Sequence, residues 1–168
     1  ALMKAGRVRK IICSFPRQAD SYVFDGLYRA GKIELELVPQ GTLAERVRAG
    51  GAGIGGFYTK TAVGTELAKG KEERIIDGER YIFEKAIRGD VAIIRAHKAD
   101  RLGNLTYYKT ARNFNPMMAT ATDIVIAEVD EIVEVGELEP EHIVTPHVYV
   151  DYIVKTEYTK EGDRFVKS

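Results

Sequence analysis

The chain has 168 residues, of which 45% are hydrophobic and 30% are charged, and its 25 Lys and Arg balance its 25 Asp and Glu. This length supports a core of ordinary size, and the zero net charge excludes a strong overall field that would attract nucleic acid or an anionic membrane. The single Cys13 excludes an internal disulfide and a cysteine-based metal site, which fits a reducing, cytoplasmic setting. No apolar run approaches the roughly 20 residues that span a bilayer, so we expect a soluble protein.

The first elements of the chain alternate between strand and helix. Val8–Phe15 has closely spaced apolar residues and predicts a buried strand that ends at Pro16. Asp20–Ala30 places apolar residues at helical spacing, and the glycine that follows predicts the end of the helix. Ile33–Pro39 alternates apolar and acidic residues, which predicts a strand with one solvent-facing side.

A second helix and a glycine-rich segment follow. Thr42 and Glu45 have the spacing of a capping box, which predicts a short amphipathic helix that ends at Gly50. The segment Gly50–Gly64 contains six glycines in fifteen residues. Each glycine weakens a helix or strand interior by roughly 0.5–1 kcal/mol relative to alanine, so this density predicts a loop against which another molecule docks.

The remainder of the chain is richer in strands. The Asp77-Gly78 dipeptide between two apolar segments predicts a hairpin over Glu73–Glu84. Two later runs, Val91–His97 and Ile124–Gly136, predict interior strands of a parallel sheet that are buried on both faces. Strands interleaved with helices indicate an α/β fold, a layered domain with a mainly parallel central sheet and a β-hairpin insertion.

Several common kinds of active site have no support in the sequence. No serine lies in a GxSxG nucleophile elbow, and the glycine-rich segment has neither the P-loop nor the Rossmann spacing. The histidines lack companions at metal-ligand spacing, which favours ordinary roles and no bound metal. The residues considered are Ser14, Ser21 and Ser168, and His97, His142 and His147.

Polar residues at the predicted strand ends remain as candidates. Gln40 lies between a strand and a helix, where open α/β sheets present ligand-binding side chains. Its amide would donate to a developing oxyanion or cap the helix, and the sequence favours neither role. Lys98–Asn104 follows a buried strand, and Arg112 and Asn113 precede a proline. Such clusters are usually solvated turns, and their alternative role is at the periphery of a site.

Three long stretches resemble one family when they are taken together. They are ELVPQGTLAERVRAGGAGIGGFYTKTAVGTELAKGK, KADRLGNLTYYKTARNFNPMMATATD and EVDEIVEVGELEPEHIVTPHVYVDYIV. In this order and spacing they closely resemble the A (alpha) subunit of family I 3-oxoacid CoA-transferases, from about Arg7 to Val154. The resemblance implies a single alpha-subunit domain over residues 1–168, of the CoA-transferase/NagB-like kind with a mainly parallel sheet.

The resemblance also implies the reaction and the partner. CoA moves from an acyl-CoA, such as succinyl-CoA or acetoacetyl-CoA, to a carboxylate acceptor through a glutamyl-CoA thioester. The nucleophilic glutamate belongs to the partner, the B (beta) subunit, in an expected A2B2 heterotetramer. CoA is then a substrate, and we expect no cofactor, no nucleic acid partner and no membrane partner.

The same resemblance assigns residues to the site. Gln40 matches the active-site glutamine of the family in its PQGT context, and two further segments match the loop that faces CoA and the substrate. These are the GGAG turn, formed by Gly50, Gly51, Ala52 and Gly53, and the FYT segment, formed by Phe57, Tyr58 and Thr59. Lys98, Arg112 and Asn113 are expected at the site periphery.

The chain departs from the family pattern in two places. Gly55 and Gly56 stand where the family usually has Pro-Ala, which predicts a more mobile loop because proline restricts the backbone. The chain also lacks the family's N-terminal Gly-rich segment, so we expect that part of the domain to be missing.

Two other functions stay open at this point. One is a non-catalytic domain of the same fold that binds an acyl-CoA or a phosphosugar. The other is a phosphosugar isomerase, which would need an acid/base pair in a pocket. Asp100 and Glu128 are the carboxylates considered for that pair, although ordinary surface roles fit both better.

Overall fold

The computed structural model describes residues 2–17, 21–161 and 164–167. The chain divides into two compact units, one formed by Ala1–Arg46 and Gly56–Lys85 and the other by Val47–Gly55 and Ala86–Ser168. The expectation of one alpha-subunit domain over residues 1–168 stays a prediction.

The first unit begins with a parallel pair of strands and a helix. Strand β1 (Lys10–Cys13) pairs with β2 (Glu34–Leu37), and helix α1 (Tyr22–Arg29) connects them. The prediction of a buried strand over 8–15 is wrong, because the strand is shorter, its residues are alternately exposed and half-buried, and Phe15 is 77% exposed. The predicted start of the first helix, Asp20, lies outside the described residues.

Helix α2 (Gln40–Gly51) follows β2 directly. It begins two residues before the predicted capping box, because the backbone N–H of Leu43 already donates to the Pro39 carbonyl at 2.8 Å. Thr42 therefore lies inside the first turn, where it is buried, and the capping-box prediction is wrong. Residues of α2 up to Arg46 belong to the first unit, and the remainder belongs to the second.

The first unit also contains an antiparallel sheet with the strand order β3-β5-β4. The hairpin prediction is confirmed, because Asp77 and Gly78 connect β4 and β5 with φ of 51° and 79°, the positive values that a type I′ turn requires. The strands are β3 (Gly56–Thr59), β4 (Glu73–Ile76) and β5 (Glu79–Lys85), with a 3-10 turn at Glu66–Ala68.

The second unit is built around a sheet with the order β7-β6-β8-β9. Strands β6, β8 and β9 are parallel, which confirms the α/β prediction. The prediction that these strands are buried on both faces is wrong. One face carries Ile94 and packs against Ala119 of α3, whereas Ile93 on the other face is 73% exposed. The elements are β6 (Gly89–Asp100), β7 (Leu105–Thr106), α3 (Asn115–Thr120), β8 (Thr122–Val133) and β9 (Tyr152–Lys155).

The remaining elements of the second unit are short. Turns of 3-10 helix connect the strands, and a final antiparallel pair lies near the C-terminus. In the ranges that the structure describes, no helix has the length and apolar character needed to cross a bilayer. The turns are Lys109–Arg112, Pro140–His142 and His147–Tyr149, and the final strands are β10 (Tyr158–Glu161) and β11 (Arg164–Lys167).

Candidate active site

Gln40 is the first residue of α2 and is exposed. Its predicted place between a strand and a helix is therefore confirmed. Within the described part of the chain its amide makes no hydrogen bond, so nothing there satisfies its N–H groups. A capping role is not supported by this geometry, and an approaching oxygen would find two donors. The catalytic role of Gln40 stays a prediction.

Further along α2, Arg46 is buried and belongs to a group of paired charges, some of which are partly exposed. Its Nη1 donates to Glu36 Oε1 of β2 at 2.6 Å, and its Nε donates to the backbone carbonyl of Lys85 at 2.7 Å. Lys10 Nζ lies 2.6 Å from the other carboxylate oxygen of Glu36. Burial would raise the pKa of Glu36, but the hydrogen bonds from Lys10 and Arg46 outweigh it and hold the pKa below its ordinary value.

Glu84 extends this group of charges into β5. Its side chain is only 2% exposed and is ion-paired with Lys71, and its Oε2 lies 3.9 Å from Arg46 Nη1. A buried carboxylate that is ion-paired within the fold is shielded from reactants. Glu84 therefore has a structural role and is not a candidate nucleophile.

The GGAG segment divides into a helical half and an exposed half. Gly50 and Gly51 end α2, and a β-carbon on them would lie 2.0 Å from the Ile87 carbonyl oxygen and 2.1 Å from Thr120 Oγ1, respectively. These glycines permit close packing within the second unit, so the prediction that they lie in a loop is wrong. The exposed loop is limited to Ala52–Gly55, in which Gly53 has φ of 72°.

The FYT segment forms most of β3. Phe57, Tyr58 and Thr59 are all half-buried. The Tyr58 hydroxyl donates to Glu72, which raises the tyrosine pKa above its ordinary value, and Arg74 lies over its ring at 4.7 Å. The phenol is thus held in place, and it is a poor acid because the hydrogen bond to the carboxylate stabilises its protonated form.

The two glycines that replace Pro-Ala have different surroundings. A β-carbon at Gly56 would lie 2.3 Å from the Phe83 ring and 2.7 Å from the Glu84 carbonyl oxygen, so this position of β3 requires glycine here. At Gly55 a β-carbon would meet nothing within 4 Å. Packing therefore explains the glycine at position 56 but not the one at position 55. Gly55 leaves the loop backbone less restricted than the proline of the family would.

The Lys98–Asn104 cluster contains a turn whose backbone N–H groups are bound by one carboxylate. The carboxylate of Asp100 is 3% exposed and accepts backbone N–H groups of Leu102, Gly103 and Asn104 at 2.9–3.1 Å. It also accepts the Asn104 side-chain amide at 2.7 Å. Burial would raise the pKa of Asp100, but these hydrogen bonds lower it overall, which is opposite to what a general acid needs.

Glu128, the second carboxylate considered for acid/base work, is an ordinary ion-pair partner. It lies on β8 and accepts from Arg95 Nη1 at 2.6 Å, with both side chains partly exposed. Because the Asp100 carboxylate is fully hydrogen-bonded and Glu128 is ion-paired, these two residues do not form the acid/base pair that an isomerase would require.

The structure brings two residues of the expected site periphery together. Lys98 and Arg112 line a cleft of about 370 Å³ beside the carboxyl-terminal part of β6. Lys98 is also ion-paired with Glu131 at 2.6 Å, and Asn113 is exposed but does not line the cleft. The complete lining is His97, Lys98, Thr106, Tyr107, Arg112, Glu137, Leu138, Glu139 and His142.

Sequence reasoning treated the two histidines of this cleft as isolated residues. Both histidines line the cleft: His97 lies on β6, and His142 lies in a turn after β8. The usable signal was that the carboxyl-terminal part of a strand and the segment that follows its parallel neighbour lie at the same edge of a sheet. No set of three or more His, Cys, Asp or Glu side chains suited to a metal ion occurs in the part of the chain that the structure describes.

Comparisons with known proteins agree with this fold. The chain is 62% identical over 154 residues to the A (alpha) subunit of the 3-oxoadipate CoA-transferase of Pseudomonas putida, which covers 92% of the chain and 67% of that protein. It is 54% identical over 153 residues to the corresponding subunit of a probable succinyl-CoA:3-ketoacid coenzyme A transferase of Bacillus subtilis, covering 91% of the chain and 63% of that protein. The chain thus spans about two thirds of the length of these curated relatives.

A solved structure and a family profile complete the comparison. The fold is similar to that of an acyl-CoA transferase from Escherichia coli O157:H7 in a thioester complex with CoA, with a TM-score of 0.78 and 25% identity. This similarity covers 92% of the chain and 34% of that protein. The profile of the family described as coenzyme A transferase matches residues 1–156. The chain therefore belongs to the coenzyme A transferase family.

Proposed function

We propose that this chain is the alpha subunit of a CoA-transferase, which moves CoA from an acyl-CoA to a carboxylate acceptor together with a beta subunit. The observation that carries the proposal is the 62% identity to the alpha subunit of a 3-oxoadipate CoA-transferase over 92% of the chain. The exposed amide of Gln40 at the start of α2 supports it. A non-catalytic binding domain is not favoured, because the curated relatives are named as transferase subunits.

The proposed reaction proceeds by covalent steps on a glutamate of the beta subunit. Its carboxylate attacks the acyl-CoA carbonyl, and the CoA thiolate leaves to give an acyl-glutamyl anhydride. The thiolate then attacks the glutamyl carbonyl, which releases the donor acid and leaves a glutamyl-CoA thioester. The acceptor carboxylate then attacks the glutamyl-CoA thioester and releases the CoA thiolate, which gives a new anhydride. The thiolate attacks the acceptor's carbonyl in that anhydride, which releases the new acyl-CoA and restores the glutamate. No cofactor is required.

In this reaction Gln40 stabilises the negative charge that develops on a carbonyl oxygen. Its amide donors are not used by the described part of the chain, so they are available without breaking an existing bond. One preorganised donor of this kind contributes roughly 10²–10³ in kcat. The burial of Glu84, which removes it as a nucleophile, is consistent with a glutamate supplied by the partner.

The exposed loop Ala52–Gly55 and the adjoining Phe57, Tyr58 and Thr59 are proposed to face the substrate. The loop is exposed and contains the half of the GGAG segment that is not packed in a helix. Gly50 and Gly51 then act indirectly, because their close packing fixes the start of that loop.

The proposed function is tested by reconstitution with the candidate beta subunit, followed by a screen of acyl-CoA donors against carboxylate acceptors. We expect turnover from the pair and none from this chain alone. Gln40→Ala should lower kcat by roughly 10²–10³ with little change in melting temperature, because the lost bond forms in the transition state. Gln40→Glu should be worse, since a like charge would oppose both the nucleophile and the oxyanion.

Opposite results would identify a structural role. A lower melting temperature with unchanged kcat in Gln40→Ala would mean that the residue stabilises the helix. Robust turnover by the isolated chain would overturn the assignment to a two-subunit enzyme. The Gln40→Ala protein must form the same complex with the beta subunit that the wild type forms, which gel filtration can establish.

The cleft beside the carboxyl-terminal part of β6 is proposed as the site periphery that binds anionic groups of the substrates. Arg112 is exposed and can approach a carboxylate or phosphate, whereas Lys98 would exchange its ion pair with Glu131 for a substrate anion; Asn113 lies next to Arg112. Arg112→Gln should raise the KM for an anionic substrate roughly tenfold and leave kcat nearly unchanged, because it removes ground-state binding. Arg101→Gln is the control, since Arg101 is exposed and does not line the cleft. An unchanged KM in Arg112→Gln would exclude this role.

A further inference from the structure

A group of paired charges around the buried Arg46 and Glu84 joins the helix that carries Gln40 to two sheets of the first unit. Arg46 of α2 contacts Glu36 of β2 at 2.6 Å and the carbonyl of Lys85 in β5 at 2.7 Å. Its side chain is 9% exposed, although arginine is usually solvated. Glu84 of β5 lies 3.9 Å from the same guanidinium nitrogen that bonds to Glu36. One side chain therefore links three separate elements.

Stability alone is a poor explanation for this arrangement. Removing two charges from water is costly, and well-packed apolar residues in place of a buried ion pair are often as stable or more stable. The guanidinium is different from an apolar side chain because its planar fork bonds in fixed directions. A network that uses two edges of this fork restricts the position and the rotation of the helix to which the arginine is attached.

The restricted helix is the one that begins with Gln40. Gln40 and Arg46 are six residues apart in α2, which corresponds to about 9 Å along the helix axis. A small rotation of α2 at Arg46 would therefore move the amide of Gln40. No hydrogen bond of Gln40 itself resists this movement within the described residues. The orientation of the amide thus depends on contacts made elsewhere in the helix.

The same network also reaches the FYT segment. Glu84 of β5 is the register partner of Phe57 of β3, so their side chains lie on the same face of the antiparallel sheet. Lys71 is paired with Glu84 and contributes a second cation to the buried carboxylate. The charges thereby connect both segments of the first unit that the family resemblance assigns to the site.

We propose that Arg46 is a positioning residue, whose guanidinium, held by Glu36, the Lys85 carbonyl and Glu84, sets the orientation of α2 and thereby the place of the Gln40 amide in the reaction. This role rests on the proposed function of Gln40 as the donor to the oxyanion. Arg46 itself does not contact the substrate. It holds the Gln40 amide in the position from which the amide stabilises the transition state.

The first test uses Arg46→Lys in the complex with the beta subunit. Lysine keeps the positive charge but loses the fork, so the helix would be less precisely held. We expect kcat to fall roughly 10–100-fold, with KM within about twofold, because displacement by about 1 Å can cost about 10² in rate. Arg48→Lys is the matched control, an identical change at an exposed position of the same helix, and it should retain the wild-type kcat. A wild-type kcat in Arg46→Lys would overturn the proposal.

A double-mutant cycle with Gln40→Ala separates positioning from a general structural effect. If Arg46 acts through Gln40, Arg46→Lys should lower kcat by less than about threefold when Gln40 is already alanine. If it lowers kcat by the same factor in both backgrounds, Arg46 does not position Gln40, and the role of Gln40 still stands. If Gln40→Ala alone leaves kcat unchanged, the proposed function fails first and this inference fails with it.

Glu36→Gln provides a second route if Arg46→Lys does not assemble with its partner. Glu36 is partly exposed, and glutamine keeps an oxygen that accepts from Arg46 while removing the charge. We expect a smaller fall in kcat, roughly 3–10-fold, which disappears in the Gln40→Ala background. An undiminished effect in that background, or no effect in either, would contradict the proposal.

Discussion

Two turns of the second unit, Asp100–Asn104 and Ala52–Gly55, are bonded in contrasting ways. In the first, one buried carboxylate accepts three backbone N–H groups and a side-chain amide, and the Asn104 oxygen then accepts the N–H of His147 at 2.9 Å. In the second, the residues are exposed, and Ile54 N–H donates back to the helix at the Ala49 carbonyl.

The contrast explains which segment is available to a ligand. A polar cluster whose groups satisfy one another has little left to offer a substrate, even when its residues are chemically suitable. In the glycine loop the N–H groups of Ala52, Gly53 and Ile54 donate to carbonyls at the end of α2, but the residues themselves are exposed. The charged turn after β6 is therefore structural at Asp100, whereas the docking role of the glycine loop stays a prediction that its exposure supports.

The largest effect should follow from removing the carboxylate of Asp100. Asp100→Ala leaves three backbone N–H groups, one buried and two partly buried, without their acceptor, and we expect a loss of about 2–4 kcal/mol in the free energy of unfolding. Urea unfolding of the purified chain measures this loss. Asp90→Ala, an exposed aspartate of the same strand, should change it by less than about 0.5 kcal/mol. Equal effects of the two substitutions would remove the distinction between the turns.

An intermediate effect should come from matched glycine substitutions in the two turns. Gly103 has φ of 104° and a β-carbon there would lie 3.3 Å from Val150, so Gly103→Ala should cost about 1–2 kcal/mol. Gly55 has open space and no positive φ, so Gly55→Ala should stabilise by about 0.4–1 kcal/mol by restricting the unfolded chain. Thermal unfolding of both variants provides the measurement, and a destabilised Gly55→Ala would show that the loop is more constrained than its contacts indicate.

The smallest effect concerns how the free energy of unfolding depends on acidic pH. The folded pKa of Asp100 lies below its ordinary value of 3.8, so the carboxylate contributes stability that is fully present above that value. This contribution is lost as the pH falls through the folded pKa. The unfolding free energy should therefore decrease below about pH 4 more steeply in the wild type than in Asp100→Asn. Parallel curves for the two proteins would mean that the turn does not depend on this charge.

Local patterns predicted the elements that depend on neighbouring residues. The Asp77-Gly78 turn and the position of Gln40 were correct, because turn geometry and the change from strand to helix are encoded within a few residues. The capping box of Thr42 was wrong even though its spacing was ideal. The helix begins earlier, and the side chain is buried inside it.

Features that depend on distant residues were missed. The close approach of Gly50 to Ile87 and of Gly51 to Thr120 joins segments far apart in the chain, so glycine density alone suggested a loop. The buried pairing of Arg46 with Glu36 and Glu84 also had no sequence signal, because each residue is unremarkable in its own segment. Charge and glycine content indicate that a position is unusual, but only the packed structure identifies the cause.

The hairpin of β4 and β5 has a consequence for the order of folding. Its strands are joined by two residues, and such hairpins form in about 1–10 μs. The parallel pairing of β6 and β8 instead brings together residues 91 and 124, and a greater loss of chain entropy precedes its first favourable contact. We therefore expect the hairpin to acquire protection from hydrogen exchange early in refolding, while the parallel sheet that bears the cleft sets the time at which the native protein appears.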